Sequence, residues 1–359
     1  MHCWGADRGD PRVSSYTSEG WFDGGAPHDA ALQTMFIDLQ MAAAVEGSDL
    51  VHSHTWYSQL GGHLSKLLYG IPHVATVHSL EPMRPWKEEQ LGGGYAVSSF
   101  CEKAALEGAD AIVAVSSEMR RDVLACYPAV DPGRVHAIYN GIDTEEYRPD
   151  PNTDVLERYG VDPSQPSVLF VGRITRQKGV TYLCDAALQI DPAAQIVLCA
   201  GAPDTPEIGA EISAKVDRVR AERGNVIWLE QMLPKTEVIQ LLSHATAFVC
   251  PSIYEPLGIV NLEAMACETA VVATRTGGIP EVVDDGVTGL LVPFEARDGS
   301  RAPVDPEQFA ADIAGLVNEV VADPARADEM GRAGRKRAIE HFSWRAIAEQ
   351  TVELYRSLL

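Results

Sequence analysis

The chain has 359 residues, enough at roughly 150 residues per domain for two domains, each with a sizeable core. With 46% hydrophobic and 22% charged residues, its composition is globular and excludes a disordered chain, a collagen-like rod or a coiled coil. Its 29 basic and 51 acidic residues leave a net charge of −22, which excludes general binding to nucleic acid or anionic membranes but leaves room for an anionic small ligand in a locally basic pocket.

The N-terminus has no apolar stretch behind a basic start, and no apolar run approaches 18 residues. No signal peptide and no membrane span are expected, and the expected location is cytoplasmic. Cys3, Cys101, Cys126, Cys184, Cys199, Cys250 and Cys267 are far apart and form no Cys-x-x-Cys pair, so they read as buried reduced thiols. The first 48 residues contain no strand followed by a glycine turn and a helix. The first domain is therefore expected to lack the opening strand and glycine-rich loop of a doubly wound domain, leaving an unpaired sheet edge.

From residue 49 onward, short apolar runs alternate with helical stretches. DLVHSH, PHVATVH, DAIVAVS and RVHAIYN come first; SVLFVG, AQIVLCA, NVIWL, TAFVCP, AVVATR and GLLVP follow. Most are continuous rather than alternating, the pattern of strands buried on both faces, and the rhythm predicts repeated βα units with parallel sheets. A polar, proline-containing stretch at residues 140–165 reads as the linker region between two α/β domains. The predicted division is 1–147 and 148–341, closed by an amphipathic helix at 342–359 that begins after Ser343 and packs back on the first domain.

Four groups of residues could carry chemistry. In PHVATVH, His78 ends an apolar strand at the edge where open parallel sheets bind ligands, although a lone histidine is more often a packed or capping residue. His52 and His54 share a strand face without an evident third metal ligand. In FVGRITRQKGV, Gly172 ends a strand, and Arg173 and Lys178 place two cations by the following turn, suited to a diphosphate whose charge grows as it leaves. They could equally be surface cations. In PSIYEPLGIVNLEAMAC, Leu257, Gly258 and Ile259 open a helix whose free amides can meet an anion. Glu255 and Glu263 lie eight residues apart along one side, suited to paired hydroxyls of a hexose and a ribose. Alternatively, Glu255 complements the helix dipole and Glu263 sits on a solvated face. The glycine runs LGGGY (91–95) and TGGIPE (276–281) are weaker signals: a mobile loop and a tight turn. No G-x-S-x-G, G-x-x-x-x-G-K-[ST] or H-E-x-x-H occurs, which weighs against common hydrolases, NTPases and zincins.

Taken together, GRITRQKG, EPLGIVNLEAMA, TGGIPEVV, DGVTGLLV, NGID and the closing FSW resemble retaining glycosyltransferases of family 4. VHSHTWY, TVHSLEPMRPWKEEQLGGGY and AVSSEMRRD are similar to the actinobacterial glycogen synthase group, whose members resemble α-maltose-1-phosphate synthases. The resemblance implies the GT-B fold: two Rossmann-like doubly wound domains with a cleft between them, the first binding acceptor and the second the nucleotide sugar. It implies transfer of glucose from ADP-glucose to glucose 1-phosphate, giving maltose 1-phosphate, or to an α-1,4-glucan end in glycogen biosynthesis. Arg173 and Lys178 would hold the diphosphate, Glu255 the transferred glucose, Glu263 the ribose, and His78 the glucose from the first domain. Acceptor candidates are Thr55, Ser79, Arg84 and Lys87, with Trp86 as a sugar platform; a solvated face suits Arg84 and Lys87 nearly as well. No metal or cofactor is implied, and a homodimer is left open. MHCWGADR resembles a later strand of the family. Two other readings remain: a degenerate nucleotide-sugar-binding protein without turnover, and a family 4 transferase with another sugar-phosphate acceptor.

Overall fold

The computed structural model describes residues 1–18, 26, 28–84, 86–298 and 300–359. They form two compact units, Met1–Tyr139 with Ala348–Leu359, and Asn140–Ile347.

The first unit opens with two three-residue strands, β1 (His2–Trp4) and β2 (Ser14–Tyr16), paired in parallel in a sheet of their own. The sequence reading found no strand followed by a glycine turn and helix here. SSY has neither the length nor the apolar content of a buried strand. A helix, Asp29–Ala43, leads to a four-stranded parallel sheet of β3 (Val51–His54), β4 (His73–Val77), β5 (Ala111–Ala114) and β6 (Val135–Ala137), side by side in chain order. β4 and β5 are buried at every residue, as continuous apolar runs require.

Two glycines set the helix packing in this unit. Helix Trp56–Tyr69 carries Gly61 and Gly62. A methyl group on Gly62 would lie 2.3 Å from His73 Nε2, and one on Gly61 3.0 Å from Asp38 Oδ1. Only hydrogen fits at Gly62. The run LGGGY is not an open loop: it joins helix Lys87–Leu91 to helix Gly94–Gly108, with Gly92 at φ +50°.

The second unit holds a six-stranded parallel sheet of β7 (Ser167–Arg173), β8 (Gln195–Gly201), β9 (Val226–Leu229), β10 (Ala247–Cys250), β11 (Ala270–Thr274) and β12 (Gly289–Val292). The spatial order is β12-β11-β10-β7-β8-β9. The chain starts in the middle, builds outward through β8 and β9, then returns to the other side of β7 at β10. That reversal creates a switch point between β7 and β10, where neighbouring loops diverge beyond the carboxyl ends of the strands and leave room for a ligand. Val168, Phe170, Ile196, Leu198, Val249 and Val272 fill the core with residues of the covering helices.

The last helix, Trp344–Leu358, follows Ser343, and its residues from Ala348 group with the first unit. None of the seven cysteines, all of them described residues, forms a disulfide, and five are buried. Burial pushes the Cys184, Cys199 and Cys267 thiols up to about 12. Among the described residues no helix is long and apolar enough to cross a membrane.

Candidate active site

The switch point of the second unit gathers the cations and acids of two separate motifs. Arg173 is the last residue of β7, and Lys178 lies five residues on, before the helix Val180–Ala187. Glu255 sits in the turn between β10 and the helix Ile259–Ala266. Because β7 and β10 are neighbours, the turns meet: Ile253 N–H donates to Gln177 O at 2.9 Å. Gly179, at φ +64°, passes so close that a methyl group there would lie 1.9 Å from Pro251 O.

Lys178 Nζ donates to Glu255 Oε2 at 2.7 Å, and Ser252 Oγ donates to the same oxygen at 3.2 Å. Glu255 is buried, so it is not a solvent-facing acid at a helix start. Burial pulls the Lys178 ammonium down, but attraction to Glu255 and the hydrogen bond it donates to that carboxylate, with a further pull from Cys250, outweigh it and leave Lys178 above its ordinary value. Nearby Arg173 is exposed and pairs with Asp204 at 3.0 Å. Lys178 is thus held inside the turn by Glu255, whereas the exposed Arg173 is held by Asp204, whose side chain is largely buried.

Gly258 caps the helix Ile259–Ala266 at φ +97°, a left-handed conformation suited to glycine. A methyl group on Gly258 would meet Asn261 Nδ2 at 2.5 Å. Leu257 is buried and Ile259 exposed at the rim. Gly172 lies against Phe170 and Lys178. Glu263 lies one turn into the helix, half-buried. Burial pushes its carboxyl up, opposed by a hydrogen bond from Tyr147 and by Lys235 and Lys178. The TGGIPE turn also belongs here. Gly278 N–H donates to Glu255 O at 2.9 Å, and a methyl group on Gly277 would lie 2.0 Å from that carbonyl oxygen. Sequence reasoning missed Asp204 and Tyr147, which stand outside the recognisable motifs, and Ser252, which lies inside PSIYEPLGIVNLEAMAC but was given no role there; the strand-end position of TGGIPE was the one available signal for that turn.

In the first unit, His78 follows β4, and its Nε2 lies 3.0 Å from His54 Nδ1. Burial and then His54 lower His78 to about 4, so it is neutral near pH 7. Thr55 follows β3 at φ 60° and ψ 171°, a costly conformation for a residue with a Cβ, and its Oγ1 caps the next helix by accepting from Tyr57 N–H at 3.4 Å. Ser79 is half-buried beside His78. Arg84 and Lys87 do not lie on a solvated face. Both point at Glu81, a fully buried carboxylate, at 2.8 Å and 3.7 Å. Ser98 Oγ donates to its other oxygen at 2.7 Å, and Glu81 N–H donates to buried Glu102 at 2.9 Å. Trp86, half-buried, opens the short helix Lys87–Leu91. Among the described residues, no group of three or more His, Cys, Asp or Glu could hold a metal ion.

Residues 14–146 match the family described as Glycosyltransferase Family 4, and residues 165–319 that described as Glycosyl transferases group 1. The chain is 55% identical to the alpha-maltose-1-phosphate synthase of Mycolicibacterium smegmatis, with 100% of this chain and 90% of that protein aligned. It is 32% identical to the D-inositol 3-phosphate glycosyltransferase of Segniliparus rotundus, over 86% of this chain and 66% of that one. Among solved structures, sucrose-phosphate synthase from Thermosynechococcus elongatus superposes with a TM-score of 0.78 at 28% identity, covering 97% of this chain and 84% of that one. With both halves matched and the fold shared, the chain belongs to the family 4 glycosyltransferases of GT-B fold.

Proposed function

We propose that this hexosyltransferase moves glucose from ADP-glucose to glucose 1-phosphate, or to the end of an α-1,4-glucan, with retention at the anomeric carbon. The observation that carries the reading is the full-length 55% identity to an alpha-maltose-1-phosphate synthase. The ion pair of half-buried Lys178 with buried Glu255 supports a donor site at the switch point. The Arg84–Lys87 pair supports an acidic acceptor.

In this reading Lys178 and Arg173 meet the diphosphate, Glu255 accepts from glucose hydroxyls, and Glu263 accepts from the ribose. The amides of Leu257, Gly258 and Ile259 face sugar and phosphate, with Gly172 admitting them to the strand end, and His78 meets the glucose from the first unit. The bond from the glucosyl anomeric carbon to the diphosphate oxygen breaks, and both its electrons leave with ADP. The acceptor hydroxyl oxygen forms the new bond on the same face, and its proton passes to the departing phosphate. The two cations stabilise the charge gained by that phosphate. Residues 1–147 serve the acceptor and 148–341 the donor, with 342–359 closing the fold; Thr55, Ser79 and Trp86 would contact acceptor sugar beside Arg84 and Lys87.

Turnover with ADP-glucose and glucose 1-phosphate, followed by detection of maltose 1-phosphate, tests the reading. Calorimetric binding of ADP-glucose without product from any acceptor would point instead to a binding protein. A second acceptor reading, another sugar phosphate, draws on the 32% identity to a D-inositol 3-phosphate glycosyltransferase. Product with inositol 3-phosphate and none with glucose 1-phosphate would establish it.

A further inference from the structure

Beyond His78, the first unit carries a row of side chains that the transfer chemistry above leaves unused. β3 and β4 run in parallel, with His52 beside Val74 and His54 beside Thr76. Residues two apart share a strand face, so His52 and His54 project together. Their rings stack with centroids 4.4 Å apart at 25°. His54 stacks in turn on His78 at 5.3 Å and 21°, with Nδ1 of the first 3.0 Å from Nε2 of the second. The inner end of the row is fixed from two sides. His52 Nε2 lies 2.6 Å from Thr76 Oγ1, and His52 Nδ1 lies 2.5 Å from the hydroxyl of Tyr355, on the last helix of the chain. Tyr355 also meets the His52 ring edge-on at 5.6 Å.

A lone imidazole at a strand end rotates about two side-chain bonds. His78 has a ring stacked on one face and a hydrogen bond at one nitrogen, which together fix its plane. We propose that His54 is a positioning residue for His78, holding its ring by stacking and by the Nδ1···Nε2 hydrogen bond, while Tyr355 clamps the far end of the row through His52. This rests on the reading of His78 as the sugar contact. Among the described residues, His54 and His52 act electrostatically on His78, and His52 in turn is faced by His73 within β4 and by Tyr355 on the last helix. Lys66, Asp110 and His63 act on His73. A neutral His78 adds no positive charge beside an anomeric carbon that becomes cationic in transfer. The nearby His54 helps to keep it neutral, since protonating either ring disfavours protonating the other.

The test uses the full chain and two readouts, an imidazole NMR titration of His78 and pH profiles of kcat and KM for ADP-glucose. In His54→Leu, the His78 titration is expected to move up by about one pH unit. The acid limb of kcat should follow it, with kcat about tenfold lower and KM for the donor little changed. His54→Asn, which retains a polar group near that nitrogen, should recover part of kcat, and Tyr355→Phe should shift the titration the same way by less. An unmoved His78 titration in His54→Leu would overturn the proposal. His54 is exposed, so its removal should leave the fold intact, as the NMR spectrum itself reports. His78→Asn separates the two claims. If that variant turns over normally while His54→Leu still moves the titration, the hold on the ring stands and the sugar-contact reading falls.

Discussion

Lys178 and Glu255, 77 residues apart in the chain, form an ion pair of 2.7 Å at the switch point of the second sheet. Adjacency of β7 and β10 makes the pair, because it brings the two following turns together. Each partner satisfies a charge that burial would otherwise make costly. In the proposed donor site both charges lie beside the diphosphate.

Lys178→Met should therefore act twice. Leaving Glu255 buried without its partner should cost about 3 kcal/mol of stability, read by urea denaturation. Turnover should fall by roughly 100-fold or more, as when a donor to a developing charge is removed. Adding Glu255→Gln should restore part of the stability but none of the turnover. Equal stability losses from the single and double variants would show that the pair is not coupled.

Gly277→Ala tests the contact between the TGGIPE turn and the Glu255 turn. Its φ is +54°, and its new methyl group would stand 2.0 Å from Glu255 O. The turn must move, and Glu255 with it. A displacement of about 1 Å at a binding group lowers kcat/KM by roughly 100-fold. Gly286→Ala is the control: φ is +80° there, but nothing lies within 4 Å of the added carbon. It should share the backbone cost and spare kcat/KM. Similar kinetics in the two variants would exclude the proposed contact.

The strands of the four- and six-stranded sheets were legible because buried parallel strands leave continuous apolar runs such as VLFVG and IVLCA, whereas β1 was legible only through the resemblance of MHCWGADR to a strand of the family and β2 not at all. Glu255 and Lys178 were legible as motif members, but their contact was not, since it depends on which strands become neighbours. Asp204 and Tyr147 carry no local signal; each matters through a partner distant in sequence. Arg84 and Lys87 illustrate a different limit. Charged residues in a proline-broken segment suit a solvated surface, and only the fold shows Glu81 buried beneath them.

Arg84 and Lys87 share one carboxylate, so a second anion could replace or join Glu81. Substituting both by alanine should depress use of glucose 1-phosphate by about tenfold or more, at about 1.5–3 kcal/mol per charged hydrogen bond. Use of glycogen should change less. Parallel losses with the two acceptors would reject a phosphate-binding role.

Asp38 offers a prediction about stability independent of catalysis. It is fully buried on helix Asp29–Ala43, where only the backbone of Gly61 acts to hold its carboxyl charged. Burial pushes its carboxyl up to about 8, against about 3.9 for an unfolded aspartate. Below pH 4 both states hold the proton and its contribution is constant. Between about 4 and 8 the unfolded carboxyl ionises while the native one does not, so stability falls as pH rises, by up to about 1.4 kcal/mol per unit. His52 and His73 act oppositely. Burial holds both at about 3, so their contribution is present above about pH 6.5 and is lost as pH falls. Asp38→Asn removes the alkaline loss and leaves the acid loss, so the pH of maximum Tm should move upward in calorimetric scans from pH 5 to 9. The amide brings its own unpaired donor, which lowers the whole curve without moving its maximum. A maximum that stays at the wild-type pH would show that Asp38 does not retain its proton in the folded chain.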